Sequence, residues 1–476
     1  MGKPRWWVDP ASSGQPVPGS PVEGMLTFRG NPTRSLTGRG PSPRSPSVVW
    51  TYPQPGALCG TSVDGGVAAV WCGTGWTGQP ALWRWPTTTS SPAANPWADR
   101  WLVAFGAFDG AVHLLDAETG RALLEPFPTG DLIKGSVTVD PDGYPLLYVG
   151  SRDSHLRILA IEPDGFRELW RLGADAVSPT LWNDDWDGSP LVIGDLLLEG
   201  GENSQFHVVR LNRRFGADGK VAVAPRLVFN APGWDDELLE QVGTNVSIES
   251  SVAMSSSTAY FANSGGLVQG WDLAAIAAGT RGSAARNFRF WMGDDTDATV
   301  VIDETGALYV AAEYERANDR SQQVGQLAKL NPAKADDPLV WSVPLRTGGV
   351  PSGVWATPAL HRDLVIVATN AGEINAFERD SGQERWRLEL PGPTWSSPVV
   401  VDDVLIQGDC DGVLHAYDVA DTSAAPRQLW ALRLGGCIES TPAVAGGYIV
   451  VGTRSGQVFA LADPATSAAP AEPTPR

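Results

Sequence analysis

A motif of roughly 40–45 residues recurs along the chain. Each copy begins with small residues and a proline or valine, continues through two apolar segments bounded by glycine turns, and closes on a segment carrying tryptophan. In the clearest copies, Pro358, Pro398 and Pro442 lie 40 and 44 residues apart. Short apolar segments between Gly and Pro turns are typical of β-strands, so each copy is predicted to form four strands.

Five weaker copies precede these three. They open near residues 76, 134, 176, 249 and 297, which brings the total to eight. A single four-stranded unit exposes apolar residues on both faces, whereas a closed ring of such units buries the faces and leaves only short edges. The sequence therefore predicts an all-β fold: an eight-bladed β-propeller with four antiparallel strands per blade.

The last copy stops at Ala462, before its tryptophan-bearing strand. The segment 48–53, with Trp50, has the composition of that missing strand. We therefore expect an N-terminal strand to complete the last blade and close the ring. The propeller is assigned to residues 25–463. The flanking segments 1–24 and 464–476 are rich in Pro, Ser, Ala and Gly, and this composition predicts disorder.

The charge balance excludes several classes of partner. The formal net charge is −19, and so acidic a surface repels nucleic-acid backbones.

No apolar run approaches the ~20 residues of a membrane-spanning helix, and residues 1–24 lack the apolar core of a signal peptide. We expect a monomer whose partner is a small ligand or another protein.

The four cysteines show no CxxC pair and no zinc-type spacing with histidine. Cys59 and Cys72 flank a short segment, located before the first regular repeat, that has no counterpart in later copies. This arrangement predicts a hairpin in which the two cysteines can form a disulfide.

The repeat resembles a known family. Its Ser/Thr-Pro start, its Asp-Gly-x-x-x-Ala-Tyr/Phe-Asp third strand and its closing tryptophan look like the pyrroloquinoline-quinone-like (PQQ-like) repeat. The resemblance spans about 25–463, is strongest over 353–463, and includes the lead-in at 28–34. It implies a propeller related either to quinoprotein alcohol dehydrogenases, which use PQQ, or to non-enzymatic envelope propellers that scaffold outer-membrane protein assembly. It also implies an extracytoplasmic location.

The chain departs from the quinoprotein pattern in two motifs and in length. It has no adjacent Cys-Cys pair and no CxxCH haem motif, and it is shorter than the large dehydrogenases. These departures favour a non-catalytic binding or scaffold propeller. A quinoprotein-type oxidoreductase that holds PQQ and calcium in its channel is the alternative.

The first strand of each blade lines the central channel of a propeller, so equivalent positions in the repeats should form a ring. Alignment of the repeats gives the ring Trp76, Lys134, Ala176, Glu249, Asp297, Trp355, Trp395 and Glu439. The three carboxylates are candidate calcium ligands, and the three Trp with Lys134 are candidate contacts for a small ligand. In the competing interpretation, the Trp side chains plug the channel and the carboxylates pair with Lys134 or backbone amides.

Two acidic segments are further metal candidates. Residues 183–188 contain Asp184, Asp185 and Asp187, and residues 293–297 contain Asp294 and Asp295 before Asp297. Carboxylates at this density need a cation, a raised pKa or exposure to water. Either segment can instead be a turn, and the polar segment 200–204 is interpreted as a strand-end turn.

Overall fold

The computed structural model describes residues 2–64, 66–75, 78–86 and 96–464. They form eight blades of four antiparallel strands arranged in a ring. Within each blade, strand A is innermost and strand D outermost, and the A strands of neighbouring blades contact one another. The prediction of an eight-bladed propeller is confirmed.

The strands, in order A to D, are Ala81–Arg84, Trp101–Gly106, Ala111–Asp116 and Phe127–Pro128 in blade 1; Thr138–Val139, Leu146–Ser151, His155–Glu162 and Gly165–Gly173 in blade 2; Leu191–Ile193, Leu196–Gly200, Gln205–Arg210 and Arg226–Pro232 in blade 3; Ala253–Ser255, Thr258–Phe261, Leu267–Asp272 and Arg286–Trp291 in blade 4; Val301–Ile302, Leu308–Ala311, Leu327–Leu330 and Leu339–Val343 in blade 5; Ala359–His361, Leu364–Ala368, Glu373–Glu378 and Glu384–Glu389 in blade 6; Val399–Val401, Val404–Gly408, Val413–Asp418 and Arg427–Arg433 in blade 7; and Ala443–Ala445, Tyr448–Thr453, Gln457–Ala462 and Ser47–Tyr52 in blade 8.

Short elements lie in the connections. The helices are α1 (Asp236–Val242), α2 (Leu273–Ala277) and α3 (Asp319–Val324), with 3-10 turns at Pro10–Ser12, Ala174–Ala176, Gly282–Ala285 and Pro332–Lys334. Extra strand pairs are Cys59–Asp64 with Val67–Cys72, Arg214–Phe215 with Val221–Ala222, and Glu313–Tyr314 with Ser352–Gly353. Within the described residues, no helix is long and apolar enough to cross a membrane.

The ring closes between its two chain ends, as predicted. Strand Ser47–Tyr52 pairs antiparallel with strand C of blade 8, placing Trp50 opposite Ala460. Trp50 is buried, and its Nε1 donates a hydrogen bond to the carbonyl of Ala117 in blade 1 at 2.8 Å. Trp50 thus joins the last blade to the first.

Two faces of the ring are distinguished by their connections. We call the face formed by the B–C turns and the D–A connections the upper face, and the face with the A–B and C–D turns the lower face. Apolar side chains fill the space between neighbouring blades. Between blades 3 and 4, for example, Phe206 packs against Phe261 and Trp271 at ring-centroid distances of 5.1 and 6.1 Å. Burial on both faces explains why the strands are apolar at successive positions.

A chain of hydrogen bonds runs around the channel from blade to blade. In six blades the residue two positions before strand A donates its backbone N–H to the hydroxyl of the equivalent residue in the next blade, whereas the Thr441 N–H of blade 8 donates to the carbonyl of Gly78. Examples are Ser251 to Thr299, Thr299 to Thr357 and Thr357 to Ser397, at 2.9, 2.9 and 3.0 Å. We call the set the hydroxyl belt; its members are Ser136, Ser189, Ser251, Thr299, Thr357, Ser397 and Thr441.

Residues 26–39, which we call the channel segment, pass through the ring beneath the belt. Their backbone accepts hydrogen bonds from strand A of several blades, for instance Met254 N–H to the carbonyl of Pro32 and Ile302 N–H to that of Thr33. Arg29 and Arg34 are fully buried. Burial lowers the pKa of both guanidinium groups, since desolvation disfavours a charge.

Backbone carbonyls of the inner strands solvate these two cations. Arg29 donates to the carbonyls of Pro398, at 2.7 Å, and Thr357. Arg34 donates to the carbonyls of Val252 and Ser189, both at 2.8 Å. The lead-in that marks the family resemblance therefore acts as a plug that holds blades on opposite sides of the channel together.

Residues 2–24, whose composition predicts disorder, run along the lower face in the structure. Val8 is buried and exchanges backbone hydrogen bonds with Ser256 in the A–B turn of blade 4. Further on, Glu23–Met25 adds a fifth strand to the inner edge of blade 1.

Both cysteine pairs form disulfides. Cys59 and Cys72 are directly opposite each other in the predicted hairpin, with Cα atoms 4.1 Å apart, so that prediction is confirmed. A second bond joins Cys410, in the B–C turn of blade 7, to Cys437 in the connection to blade 8. Sequence spacing carried no signal for the second bond because the two cysteines lie on different turns.

We predict that Arg34→Met destabilises the protein by roughly 3 kcal/mol, because the carbonyls of Val252 and Ser189 lose charged donors while remaining buried. Chemical denaturation monitored by circular dichroism measures this. Arg39→Met is the matched control, since the Arg39 side chain lies in the same segment without a hydrogen bond to the described residues; a change within about 0.5 kcal/mol is expected. Equal losses in the two variants would contradict the proposed role.

Candidate functional site at the channel mouth

Seven residues occupy equivalent positions at the upper end of the channel. Each lies four positions before strand A, two before its belt residue, so side chains along this extended stretch repeat in the same direction. We call this set the mouth ring; its members are Lys134, Asp187, Glu249, Asp297, Trp355, Trp395 and Glu439. The predicted member Trp76 lies outside the described residues.

The predicted ring was wrong in blade 3. The alignment on Ser178-Pro179 selected Ala176, but this residue lies in an exposed 3-10 turn. Strand A of blade 3 begins at Leu191, so the repeat opens at Ser189-Pro190 and Asp187 is the mouth residue. The long connection 174–190 contains two Ser-Pro pairs, which caused the error. The acidic segment 183–188, predicted as a separate site, thus belongs to the ring.

Lys134 is surrounded by three buried carboxylates. Its Nζ lies 2.8 Å from Asp187 and 3.1 Å from both Asp185 and Glu202. Arg152 adds a second cation, with its Nε 3.3 Å from Asp185. We call Asp185, Asp187 and Glu202 the lysine-bound triad, because an internal ammonium group occupies its centre.

A second group of carboxylates has a weaker internal counter-charge. Carboxylate oxygens of Asp295, Asp297 and Glu313 lie within 4.8 Å of one another, and all three side chains are buried. The nearest cation is Arg316, whose Nη1 is 3.7 Å from Asp295. Asp295 Oδ1 is buried without a hydrogen-bond partner. We call these three residues the open triad.

Neutral donors hold the open triad in place. Trp355 Nε1 donates to Asp297 Oδ2 at 3.1 Å, and Ser264 donates to its other oxygen at 3.2 Å. Asn370 Nδ2 donates to Glu313 Oε2 at 3.2 Å. These contacts orient the carboxylates but add no positive charge to the site.

Glu249 lies between the two triads and couples them electrostatically. Burial raises its pKa well above the usual range, and repulsion from Asp297 and Glu202 adds to the rise. In the open triad, desolvation followed by mutual repulsion raises the pKa of Asp295, Asp297 and Glu313 in the same way. Burial and mutual repulsion therefore disfavour the charged form of these groups, and a bound cation would favour it.

The lysine-bound triad is better compensated. Burial raises the pKa of Asp185 and Asp187 to about 6, with Lys134 opposing the shift. Burial and repulsion from Asp187 raise the pKa of Glu202 to about 8. For Lys134, the carboxylates outweigh desolvation and raise its pKa, so this ammonium group stays protonated.

A small cavity lies between the mouth ring and the channel segment. Phe28 forms its floor, and Glu249, Asp297, Trp355 and Trp395 are among its walls. Its free volume is about 10 Å³, which corresponds to roughly one water molecule. The two indole rings meet edge to face, with centroids 5.7 Å apart and planes at 83°.

Three predicted metal ligands lie apart from both triads. Asp184 is exposed and accepts a hydrogen bond from Ser154. Asp294 is buried, but its carboxylate accepts backbone N–H bonds from Asp295, Arg316 and Ala317 and so anchors a loop. Glu439 lies beside a cation, with its Oε2 3.6 Å from Arg454 Nη1.

Two acidic members of the site were missed by the sequence analysis. Glu202 and Glu313 lie in the B–C connections of blades 3 and 5, whereas the alignment sampled only residues before strand A. The segment 200–204 was interpreted as a turn, and it is one; its acidic residue nevertheless points at Lys134. The available signal is an acidic residue just after strand B, on the same upper face as the mouth ring.

Comparisons with known proteins agree with the fold. A family model described as outer membrane protein assembly factor BamB matches residues 324–469. No curated protein sequence matches the chain. Among solved structures, BamB from Moraxella catarrhalis is similar at a TM-score of 0.51 and 17% identity, over 79% of this chain and 97% of that one.

Two further structures share the architecture. The computationally designed Ika8 protein has a TM-score of 0.51 and 14% identity, over 76% of this chain and 93% of that one. Quinohemoprotein alcohol dehydrogenase from Comamonas testosteroni has a TM-score of 0.55 and 13% identity, over 92% of this chain and 80% of that one. At these identities the likeness concerns the fold alone.

The raised pKa of Glu202 predicts a pH dependence of stability. The folded protein binds this proton more tightly than the unfolded chain, so the associated stability is fully present below pH 4.5 and is lost as the pH rises through about 8. We predict that Glu202→Gln reduces the loss of stability between pH 5 and 8 by on the order of 2 kcal/mol. Denaturant midpoints across this range measure it.

The matched control for this prediction is Glu389→Gln, an exposed glutamate on the outermost strand of blade 6. Its pH profile should follow that of the unmodified protein. A Glu202→Gln profile parallel to both would show that Glu202 does not carry the dependence.

Proposed function

We propose that this propeller, whose repeats resemble the PQQ-like type, is a non-catalytic binding or scaffold protein whose channel mouth holds a divalent cation, calcium by its ligand chemistry. The observation that carries this proposal is the contrast between the two triads. In the lysine-bound triad, Lys134 lies at the centre of three carboxylates, whereas the open triad has Arg316 only at 3.7 Å. A cation bound in the open triad would neutralise its carboxylates, as the Lys134 ammonium group does in the lysine-bound triad.

The donor set suits calcium. The open triad offers carboxylate oxygens from Asp295, Asp297 and Glu313, and calcium takes 6–8 oxygen ligands in flexible geometry. The Oδ1 atom of Asp295 is buried without a hydrogen-bond partner, so a cation or a donor at this position would stabilise it. Water molecules would complete the shell.

The cavity bounded by Phe28, Trp355 and Trp395 argues against PQQ as a ligand. The space beneath Trp355 and Trp395 is about 10 Å³, and the two rings meet edge to face rather than parallel. A planar tricyclic cofactor would need both side chains and the Phe28 floor to move. The geometry therefore favours the binding or scaffold role over the quinoprotein alternative.

A protein partner at the cell envelope is the scaffold part of this proposal. It is supported by the matched family model, whose description is that of an outer membrane protein assembly factor. The disulfides Cys59–Cys72 and Cys410–Cys437 support an oxidising, extracytoplasmic compartment, where such bonds persist. Both lie on the upper face, so they brace the loops around the mouth.

The cation is tested by calorimetric titration of the metal-free protein with calcium chloride. We predict saturable binding at one site and a rise in melting temperature with calcium concentration. Asp297→Asn should weaken binding at least tenfold, since it removes a central charged ligand. Glu439→Gln, a mouth carboxylate paired with Arg454, is the control and should bind as the unmodified protein does. Absence of calcium heat, or equal heats in both variants, would refute the site.

The choice between scaffold and quinoprotein is tested separately. We predict that protein incubated with PQQ and calcium, then separated from free cofactor, shows no quinone absorbance. Stoichiometric retention of the quinone would contradict the non-catalytic proposal and favour the oxidoreductase.

A further inference from the structure

We propose that a crevice on the lower face, between blades 3 and 4, binds a small amphiphilic anion: a molecule with one phosphate, sulfate or carboxylate head and an apolar body. The crevice has a volume of about 330 Å³, at the lower end of the range for ligand pockets. It lies on the opposite face of the ring from the channel mouth, and the proposal is independent of the calcium site.

The inner wall of the crevice is apolar. Leu196 and Val208 of blade 3 face Leu273 and Ile276 of helix α2, and Trp6 of the N-terminal segment lies across them. Leu273 and Ile276 belong to the buried core between the two blades, so the crevice is a continuation of that core to the surface. An apolar ligand body would extend the packing of the core.

The rim of the crevice is basic. Arg210, Arg226 and Arg281 line it and are exposed, and no acidic side chain is among its lining residues in the part of the chain that the structure describes. A crevice lined by three arginines and no acidic residue, within the described part of the chain, contrasts with the net charge of −19. Guanidinium groups bind phosphate and carboxylate oxygens in a bidentate manner, which suits an anionic head.

Arg210 and Arg226 are directly opposite each other on strands C and D of blade 3. Like charges at such a cross-strand position destabilise a sheet. Neither side chain has an ion pair or hydrogen bond within the described residues that would relieve the repulsion. A bound anion between the two guanidinium groups would relieve it.

The other blades show that this pair is a departure from the repeat. Strand C ends in an acidic residue in five blades, at Asp116, Glu162, Asp272, Glu378 and Asp418. In blade 7, Asp418 is opposite Arg427, with their charged atoms 3.8 Å apart. Blade 3 replaces the acid of this pair with Arg210. The substitution converts a compensated position into an anion site.

The test is calorimetric titration of the full chain with dodecyl phosphate below its micelle concentration. We expect saturable binding, at least tenfold weaker in the Arg210→Gln/Arg226→Gln double variant. Arg427→Gln, at the matched position of blade 7, should bind as the unmodified protein does. Arg210→Asp, which recreates the acid–base pair of blade 7 opposite Arg226, should raise the melting temperature while removing binding. Unchanged stability together with retained binding would overturn the argument from repulsion.

Two further ligands separate the halves of the proposal. Inorganic phosphate should bind at least tenfold more weakly than dodecyl phosphate, because it lacks the apolar body. Neutral dodecyl maltoside should show no saturable binding, because it lacks the charge. Equal binding of inorganic phosphate, equal binding of the neutral amphiphile, or unchanged affinity in the double variant would each overturn the proposal. None of these results depends on calcium, so the two sites fail or succeed separately.

Discussion

Neighbouring blades are joined along the channel by one repeated contact, in which a backbone N–H of one blade donates to a hydroxyl of the next. This contact requires a Ser or Thr two positions before strand A, and the extended backbone favoured before proline presents it at Ser189, Thr357, Ser397 and Thr441. Because the belt joins adjacent blades, it also sets the relative positions of the residues on either side of it along the channel axis. Above it are the mouth residues, and below it are the carbonyls that receive Arg29 and Arg34.

Charge is distributed in layers along the channel axis. Two guanidinium groups of the channel segment are buried below the belt, and the carboxylates of the mouth are buried above it. The lower layer is solvated by backbone dipoles. In the upper layer, Lys134 lies at the centre of one group of carboxylates, whereas the other cations, Arg152, Arg316 and Arg454, lie at 3.3–3.7 Å from a carboxylate. One source of this electrostatic asymmetry is Lys134, which occupies in blade 2 the ring position that is acidic in blades 3, 4 and 5.

The sequence predicted the fold because each copy of the repeat corresponds to one blade. The spacing of Pro358, Pro398 and Pro442 indicated the blade length, and the absent last strand indicated closure through Trp50. The site was predicted only in part. The residues before strand A could be predicted because the same register applies in all blades. The exception was blade 3, where the long connection before Asp187 contains a second Ser-Pro pair. The contribution of Glu202 and Glu313 to the site could not be predicted, since their proximity to the ring depends on how the B–C turns fold over the upper face.

The path of the chain through its own channel bears on how the molecule can assemble. Thr37 is hydrogen-bonded to Val400, 363 residues further along, and Trp50 lies in the blade that is synthesised last. The inner strands and the ring closure thus depend on contacts between the N-terminal segment, which is synthesised first, and the blades that are synthesised last. Such long loops close slowly, and until they close the early blades expose apolar faces. We therefore expect the plug and the closing strand to reach their final positions only after the last blades are present.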